Sequence, residues 1–243
     1  MSIKTSLNYS PNFSTYRRVK KNIKYIILHY TGMRSETKAI NRLTNDKSKV
    51  SCHYFIKRNG LIILMVPEKY EAWHAGISNW KKDKSLNKSS IGIEISNRGH
   101  EFGYQNFPKK QIRALVKLSN FLIKKYNIKK TRILGHSDIA VDRKKDPGEK
   151  FPWEYLSKNK IGIWHKTSKS MLKKIRNIKV SKKEEVNFYK YLYKIGYVLR
   201  IKNLANQNMM VKNFQRHFRQ NLINGKIDKE CLFIAKKISK FSR

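Results

Sequence analysis

The chain is expected to fold as an α/β domain, a mixed central β-sheet flanked by helices, followed by a small three-helix unit. Three observations predict this. Short β-branched apolar runs alternate with one long amphipathic stretch as far as residue 165. A basic stretch, 166–183, then breaks the pattern. Beyond it, apolar residues recur only at helical spacing.

Taken in order, the run KYIIL at Lys24–Leu28 is short, apolar and β-branched, the pattern of a buried strand. Residues 53–66 (HYFIKRNGLIILMV) set two apolar runs about the turn Arg58-Asn59-Gly60. They predict a hairpin, because Asn-Gly tolerates the positive φ of a tight turn. SIGIEI at 90–95 predicts another strand. In 109–126, Ile112, Leu115, Val116, Ser119, Leu122 and Ile123 share one helical face, with lysines on the other. Ile133-Leu134 predicts a short strand ending at Gly135-His136. The basic stretch 166–183 has little to bury and is expected to be a linker or a marginal helix. Helices are expected over 184–195, 207–220 and 229–241, with Asn224-Gly225 between the last two and Asp228 as an N-cap. The domain boundaries are therefore 1–165, 166–183 and 184–243.

A chain of 243 residues with 40% hydrophobic content can hold a medium domain and a small companion. No apolar run approaches the roughly 18 residues of a membrane span. The N-terminal segment does not read as a signal peptide, so a cytoplasmic location is expected, with a periplasmic or outer-membrane one as the alternative. The two cysteines, Cys52 and Cys231, are far apart and in unlike contexts, which argues against a disulfide and a cysteine-rich metal site. The net charge of +39 comes mostly from lysines scattered along the chain among many Asn and Ile. That is the texture of an AT-rich genome. A nucleic-acid footprint clusters on one element, so no nucleic-acid partner is expected. The charge suits contact with an anionic polymer.

Three residues are candidate metal ligands. His29 and His136 stand at the ends of apolar strands, and Asp146 follows in the loop RKKDPG. Polar groups at strand ends sit at the rim of a sheet, where sites in such folds form. Two imidazoles and a carboxylate leave one position open on a tetrahedral zinc ion. Each also has a structural reading: a strand-end histidine can simply be hydrogen-bonded, and Asp146 before Pro147-Gly148 can form a turn.

The segments IILHYTG (26–32), VSCHYFIKRNG (50–60), AWHAGISNW (72–80), SIGIEISN (90–97) and GHSDIA…RKKDPGEKFPW (135–153) resemble, in order, the zinc amidases of peptidoglycan, closest to their lipoprotein and anhydromuropeptide branch. The resemblance spans roughly residues 8–165. It implies cleavage of the bond between the N-acetylmuramoyl lactyl group and L-alanine by a chain expected to be monomeric. One Zn2+ is implied, on His29, His136 and Asp146, with Glu94 as acid–base and Lys144 beside the developing oxyanion. Trp73, His74 and Asn97 are expected to touch substrate. His53 is expected in the core or behind the ligands, and Asp138 to orient a ligand histidine or cap its loop. Cys52 stands where the phage branch has a catalytic tyrosine, and Val141-Asp142 where the family usually has Pro-Gly. A non-catalytic muropeptide-binding protein is the alternative reading. It has no use for an acid–base pair beside a metal. The C-terminal segment, with FQRHFR and G-x-I-D, resembles a three-helix peptidoglycan-binding module. On that reading a chain ending near Lys179 keeps its turnover of small soluble substrates.

Overall fold

The computed structural model describes residues 3–242. Among the described residues, ten strands form three sheets: β1 (Ser6–Leu7), β2 (Phe13–Ser14), β3 (Tyr25–Tyr30), β4 (Tyr54–Ile56), β5 (Ile62–Leu64), β6 (Glu71–Ala72), β7 (Asn79–Trp80), β8 (Asp83–Lys84), β9 (Ser90–Ile95) and β10 (Ile133–Gly135). The main sheet has the order β1-β5-β4-β9-β3-β10. All its pairs are parallel except β4 with β5, the hairpin that Asn59-Gly60 predicts. Gly60 takes φ 92° there. The remaining strands pair as short ribbons, β2 with β6 and β7 with β8.

Alternation along the strands gives the sheet two faces. Ile26 and Leu28 of β3, Ile91, Ile93 and Ile95 of β9, and Ile133 of β10 pack with Ile112, Leu115, Leu118 and Leu122 of α2 (Lys109–Tyr126). That helix has the bounds its periodicity predicts. On the opposite face, α1 (Glu36–Thr44) covers the β4–β5 end through Ala39 and Leu43 against Phe55, Ile63 and Met65. Toward β10, Tyr25, Ile27 and Leu134 join a cluster that runs on into the C-terminal helices. The middle of this face stays open, and the candidate site lies there.

Past β10 come α3 (His136–Ile139) and α4 (Trp153–Lys158). Of the linker or marginal helix expected over 166–183, the structure forms a short helix, and it is docked. Ser168 caps α5 (Lys169–Ile175), Leu172 is buried in the C-terminal cluster, and Arg176 pairs with Glu230 at 2.6 Å. A stretch with one apolar anchor and one well-placed arginine can dock, although its composition reads as solvated.

The three predicted helices are α6 (Lys182–Ile195), α7 (Leu204–Phe218) and α8 (Lys229–Ser239). Ser181 and Glu184 form a capping box on α6, and the predicted cap Asp228 accepts from the Cys231 N–H. The helices are not a separate body. Phe188, Leu192, Phe214 and Ile234 share one core with Trp80, Leu134, Ile139 and Val141 of the α/β domain. At the seam Gly196 turns with φ 139°, and a Cβ there would stand 2.4 Å from the Trp80 ring. Both cysteines are buried and free. Among the described residues no helix is long and apolar enough to cross a membrane.

Candidate active site and metal centre

Register builds the site. In the parallel pair β3–β9, His29 lies opposite Glu94, and Glu94 lies opposite Phe55 of β4. Leu28 pairs with Gly135, so the next residue along, His136, falls level with His29. One rung at the C-terminal end of the parallel strands thus carries His29, Glu94 and His136 together. Asp146 returns from the loop after α3, its carbonyl accepting from the Ser137 N–H at 2.8 Å.

The ligand atoms of His29, His136 and Asp146 all lie within 4.8 Å of one another, and all three residues are buried. His29 Nδ1 is 3.0 Å from His136 Nδ1, and the two nitrogens are 3.2 and 3.1 Å from Asp146 Oδ2. Ligands about 2.0–2.1 Å from a tetrahedral zinc stand about 3.3 Å apart, close to this triangle.

The surrounding hydrogen bonds decide which ring nitrogens carry protons. His136 Nε2 lies 3.1 Å from the Ala75 carbonyl, which can only accept, so in the neutral ring Nδ1 holds the lone pair. The proton on His29 is set by a longer chain of bonds. The Ser90 hydroxyl donates to the Leu86 carbonyl at 2.6 Å, so its oxygen accepts from His74 Nε2 at 3.0 Å. His74 Nδ1 then accepts from His29 Nε2 at 3.0 Å, leaving the His29 Nδ1 lone pair facing His136 and Asp146. Burial, the neighbouring His136 and the Lys144 charge push the His29 imidazole down to about 4, against the pull of Asp146. Burial alone would raise the Asp146 carboxyl, but His136 and His29 outweigh it and hold Asp146 well below the usual carboxylate range. With both rings neutral, as metal binding requires, these hydrogen bonds leave both Nδ1 lone pairs and the Asp146 carboxylate aimed at a common point. The donor set fits a divalent cation.

Glu94 faces the cavity beside this cluster, and its Oε2 has no hydrogen-bond partner. Desolvation and the Asp146 charge raise its pKa well above the usual value, partly offset by Lys144. Lys144 lines the same cavity, of about 560 Å³, and its charge reaches both Glu94 and His29. Its neighbour Lys145 is more exposed, a distinction the sequence does not carry. Trp73 forms part of the wall, with its Nε1 tied to Ser14 Oγ at 3.1 Å. Facing it, Tyr30 is bonded to His100 Nδ1 at 2.9 Å, and His100 Nε2 lies 3.1 Å from Glu149.

Two of the residues expected to touch substrate have their polar side-chain atoms bonded within the protein. His74 borders the same cavity but is buried, with its ring nitrogens bonded to His29 and Ser90, so it braces a candidate ligand. Asn97 is also buried: its Nδ2 donates to the Gln105 carbonyl, and its Oδ1 accepts from the Gly99 and Gln105 N–H groups. These bonds brace the 97–105 loop. His53 is fully buried, with Nδ1 accepting from the Gly92 N–H at 3.0 Å. Asp138 caps the start of α3 through the Gly135 N–H at 2.7 Å and touches neither candidate ligand histidine. Its other partners, Tyr197 at 2.6 Å and His217 at 2.8 Å, come from the C-terminal helices and are not foreseen by the sequence reading.

The sequence profile described as N-acetylmuramoyl-L-alanine amidase matches residues 19–149. The chain is 34% identical over 226 residues to the N-acetylmuramoyl-L-alanine amidase AmiD of Escherichia coli (strain K12), covering 88% of this chain and 81% of that protein. To the 1,6-anhydro-N-acetylmuramyl-L-alanine amidase AmpD of Haemophilus influenzae it is 43% identical over 111 residues, 45% of this chain and 58% of that one. The solved complex of E. coli AmiD with anhydro-N-acetylmuramic acid-L-Ala-D-gamma-Glu-L-Lys has a TM-score of 0.79 at 32% identity, covering 94% of this chain and 92% of that chain. AmpDh3 from Pseudomonas aeruginosa has a TM-score of 0.79 at 28% identity, covering 94% of this chain and 96% of its own.

Proposed function

The chain belongs to the N-acetylmuramoyl-L-alanine amidase family, and we propose that it works as a zinc enzyme with Glu94 and Lys144 as its proton-transfer and electrostatic groups. Its reaction is hydrolysis of the amide between the N-acetylmuramoyl lactyl group and L-alanine, in cell-wall turnover and recycling.

The observation that carries the zinc reading is the convergence of the His29 Nδ1, His136 Nδ1 and Asp146 Oδ2 electron pairs at 3.0–3.2 Å. Once the two Nδ1 atoms are deprotonated, facing acceptors would repel in a buried site, and a cation reconciles them. When bound there, zinc supplies Lewis acidity, lowering the pKa of a water from about 15.7 towards roughly 7. Glu94 takes the proton of the attacking water and passes it to the departing amine of L-alanine. A carboxyl whose pKa lies well above its usual value suits both halves of that transfer. Lys144 holds its ammonium toward the charge that grows on the lactyl carbonyl oxygen. Trp73 offers an apolar wall for the sugar.

The test uses a soluble anhydromuropeptide of the kind bound by AmiD. Protein purified without added metal should carry one zinc per chain, and His29→Ala should lose it. Glu94→Gln should keep the zinc and lose about 10²–10⁴-fold in kcat with little change in KM. A metal-free wild type at full activity refutes the zinc reading. Near-normal turnover by Glu94→Gln moves the proton transfer to another group.

A further inference from the structure

The loop carrying Lys144 and Asp146 leaves α3 without regular structure. On the cleft side it is shaped by a turn, with the Lys144 N–H donating to the Ala140 carbonyl at 3.0 Å. Its Val141 and Lys144 carbonyls are turned instead into the C-terminal helices. A buried carbonyl outside a helix or sheet needs a donor from elsewhere. One side chain serves both: Asn213 of α7, fully buried, donates through Nδ2 to the Val141 carbonyl at 2.9 Å and to the Lys144 carbonyl at 3.0 Å. Its Oδ1 accepts from Arg216 Nη1 at 2.8 Å, which fixes which end of the amide faces the loop.

The same region grips the loop on either side. Tyr197 and His217 hold Asp138, Arg200 pairs with Asp142, and Gln220 donates to the Phe151 carbonyl at 2.6 Å. Asn213 is the side chain among these that reaches the backbone of Lys144 itself. From this we infer that Asn213 is a positioning residue for Lys144, so that the C-terminal helices complete the catalytic loop whatever they bind. The inference rests on the role proposed for Lys144. Shifting a catalytic group by about 1 Å can cost 10²-fold in rate, and a lysine whose carbonyl loses its tether has that freedom.

Gln215 provides the matched control. It is equally buried in the same helix, but its amide bonds only to Asn224, Gly225, Lys226 and Cys231, away from the loop. In the full-length zinc-loaded protein, Asn213→Leu should lower kcat roughly 10–100-fold with KM and zinc content unchanged. Gln215→Leu should lower Tm without moving kcat. The deciding measurement is a double-mutant cycle: in a Lys144→Ala background, Asn213→Leu should produce no further loss. Should the leucine variant not fold, Asn213→Ser keeps one hydroxyl donor, is too short to span both carbonyls, and should show the same cycle with a smaller loss. Wild-type kcat in the Asn213 variant, or an equal loss with and without Lys144, overturns the inference while leaving the role of Lys144 intact. If Lys144→Ala itself keeps full kcat, the role of Lys144 falls and the inference falls with it.

Discussion

The substitution Gly92→Ala tests whether His74 braces the metal centre. Gly92 lies on β9 directly beneath the His74 ring, where an added Cβ would stand 2.3 Å from Cγ, 2.5 Å from Cδ2 and 2.6 Å from Nδ1. Carbon atoms in contact sit about 3.5–4.0 Å apart, so the ring must retreat by more than about 1 Å. Its bonds to His29 and Ser90, both 3.0 Å, cannot survive that shift. Overpacking of this kind costs about 1–3 kcal/mol. The buried His29 N–H left without an acceptor adds a further penalty of about 1–3 kcal/mol. At about 2–4 °C per kcal/mol for a chain of this size, Tm should fall by roughly 5–20 °C. Losing the support behind a ligand histidine should weaken zinc about 10–100-fold, measured by chelator competition. Adding His74→Ala to Gly92→Ala vacates the crowded space, so it should recover the steric part of the Tm loss but not the zinc affinity. Wild-type zinc affinity in Gly92→Ala refutes the bracing role.

Two further expectations come from the C-terminal half. A chain ending at Lys179 exposes Trp80, Leu134, Ile139 and Val141, now at 2–4% accessibility, and strips the donors from Asp138 and Lys144. Returning large apolar side chains to water costs about 1.5–3 kcal/mol each, so four of them rival the roughly 5–15 kcal/mol that holds a domain together. The truncated chain should therefore unfold or aggregate, whereas independence of the two parts predicts a soluble amidase at full rate on small substrates. His165, buried between α4 and α5, has its pKa pushed down to about 4 by desolvation. Because the unfolded chain binds that proton from about pH 6.5 downward, this contribution is whole above pH 6.5 and is lost as pH falls towards 4. His165→Asn should flatten the loss of urea stability between pH 7.5 and 4.5 by up to about 1.4 kcal/mol per pH unit. An unchanged acid limb would place the histidine in water.

What the sequence makes legible follows from how far a signal must travel. His29 and Glu94 interrupt isoleucine-rich strands and His136 directly follows one, and a polar residue at such a place marks the rim or the open face of a sheet. Their order across β9, β3 and β10 needs only register. Helix α1 is harder to see, because only Ala39 and Leu43 of ETKAINRLT are buried and a mostly polar helix has little apolar periodicity. The role of His74 depends on a side chain that is missing, since Gly92 makes room for it. A glycine inside the strand SIGIEI is a sign of close approach, yet it does not say what approaches. The docking of the C-terminal helices is less visible still, because their bonds to α3 and the catalytic loop join residues 58 to 79 positions apart. One local trace exists. In α7, Asn213 and His217 share the buried side with Met210, Phe214 and Phe218, and a glycan-binding helix facing solvent has no reason to bury an amide and an imidazole there. Polar groups on an apolar stripe must find partners: His217 finds Asp138 of α3, and Asn213 finds the carbonyls of Val141 and Lys144 in the loop that follows. A helix that carries such residues is built to dock. Its contribution to the reaction is therefore made through the loop it holds, whether or not its outer surface also meets the wall.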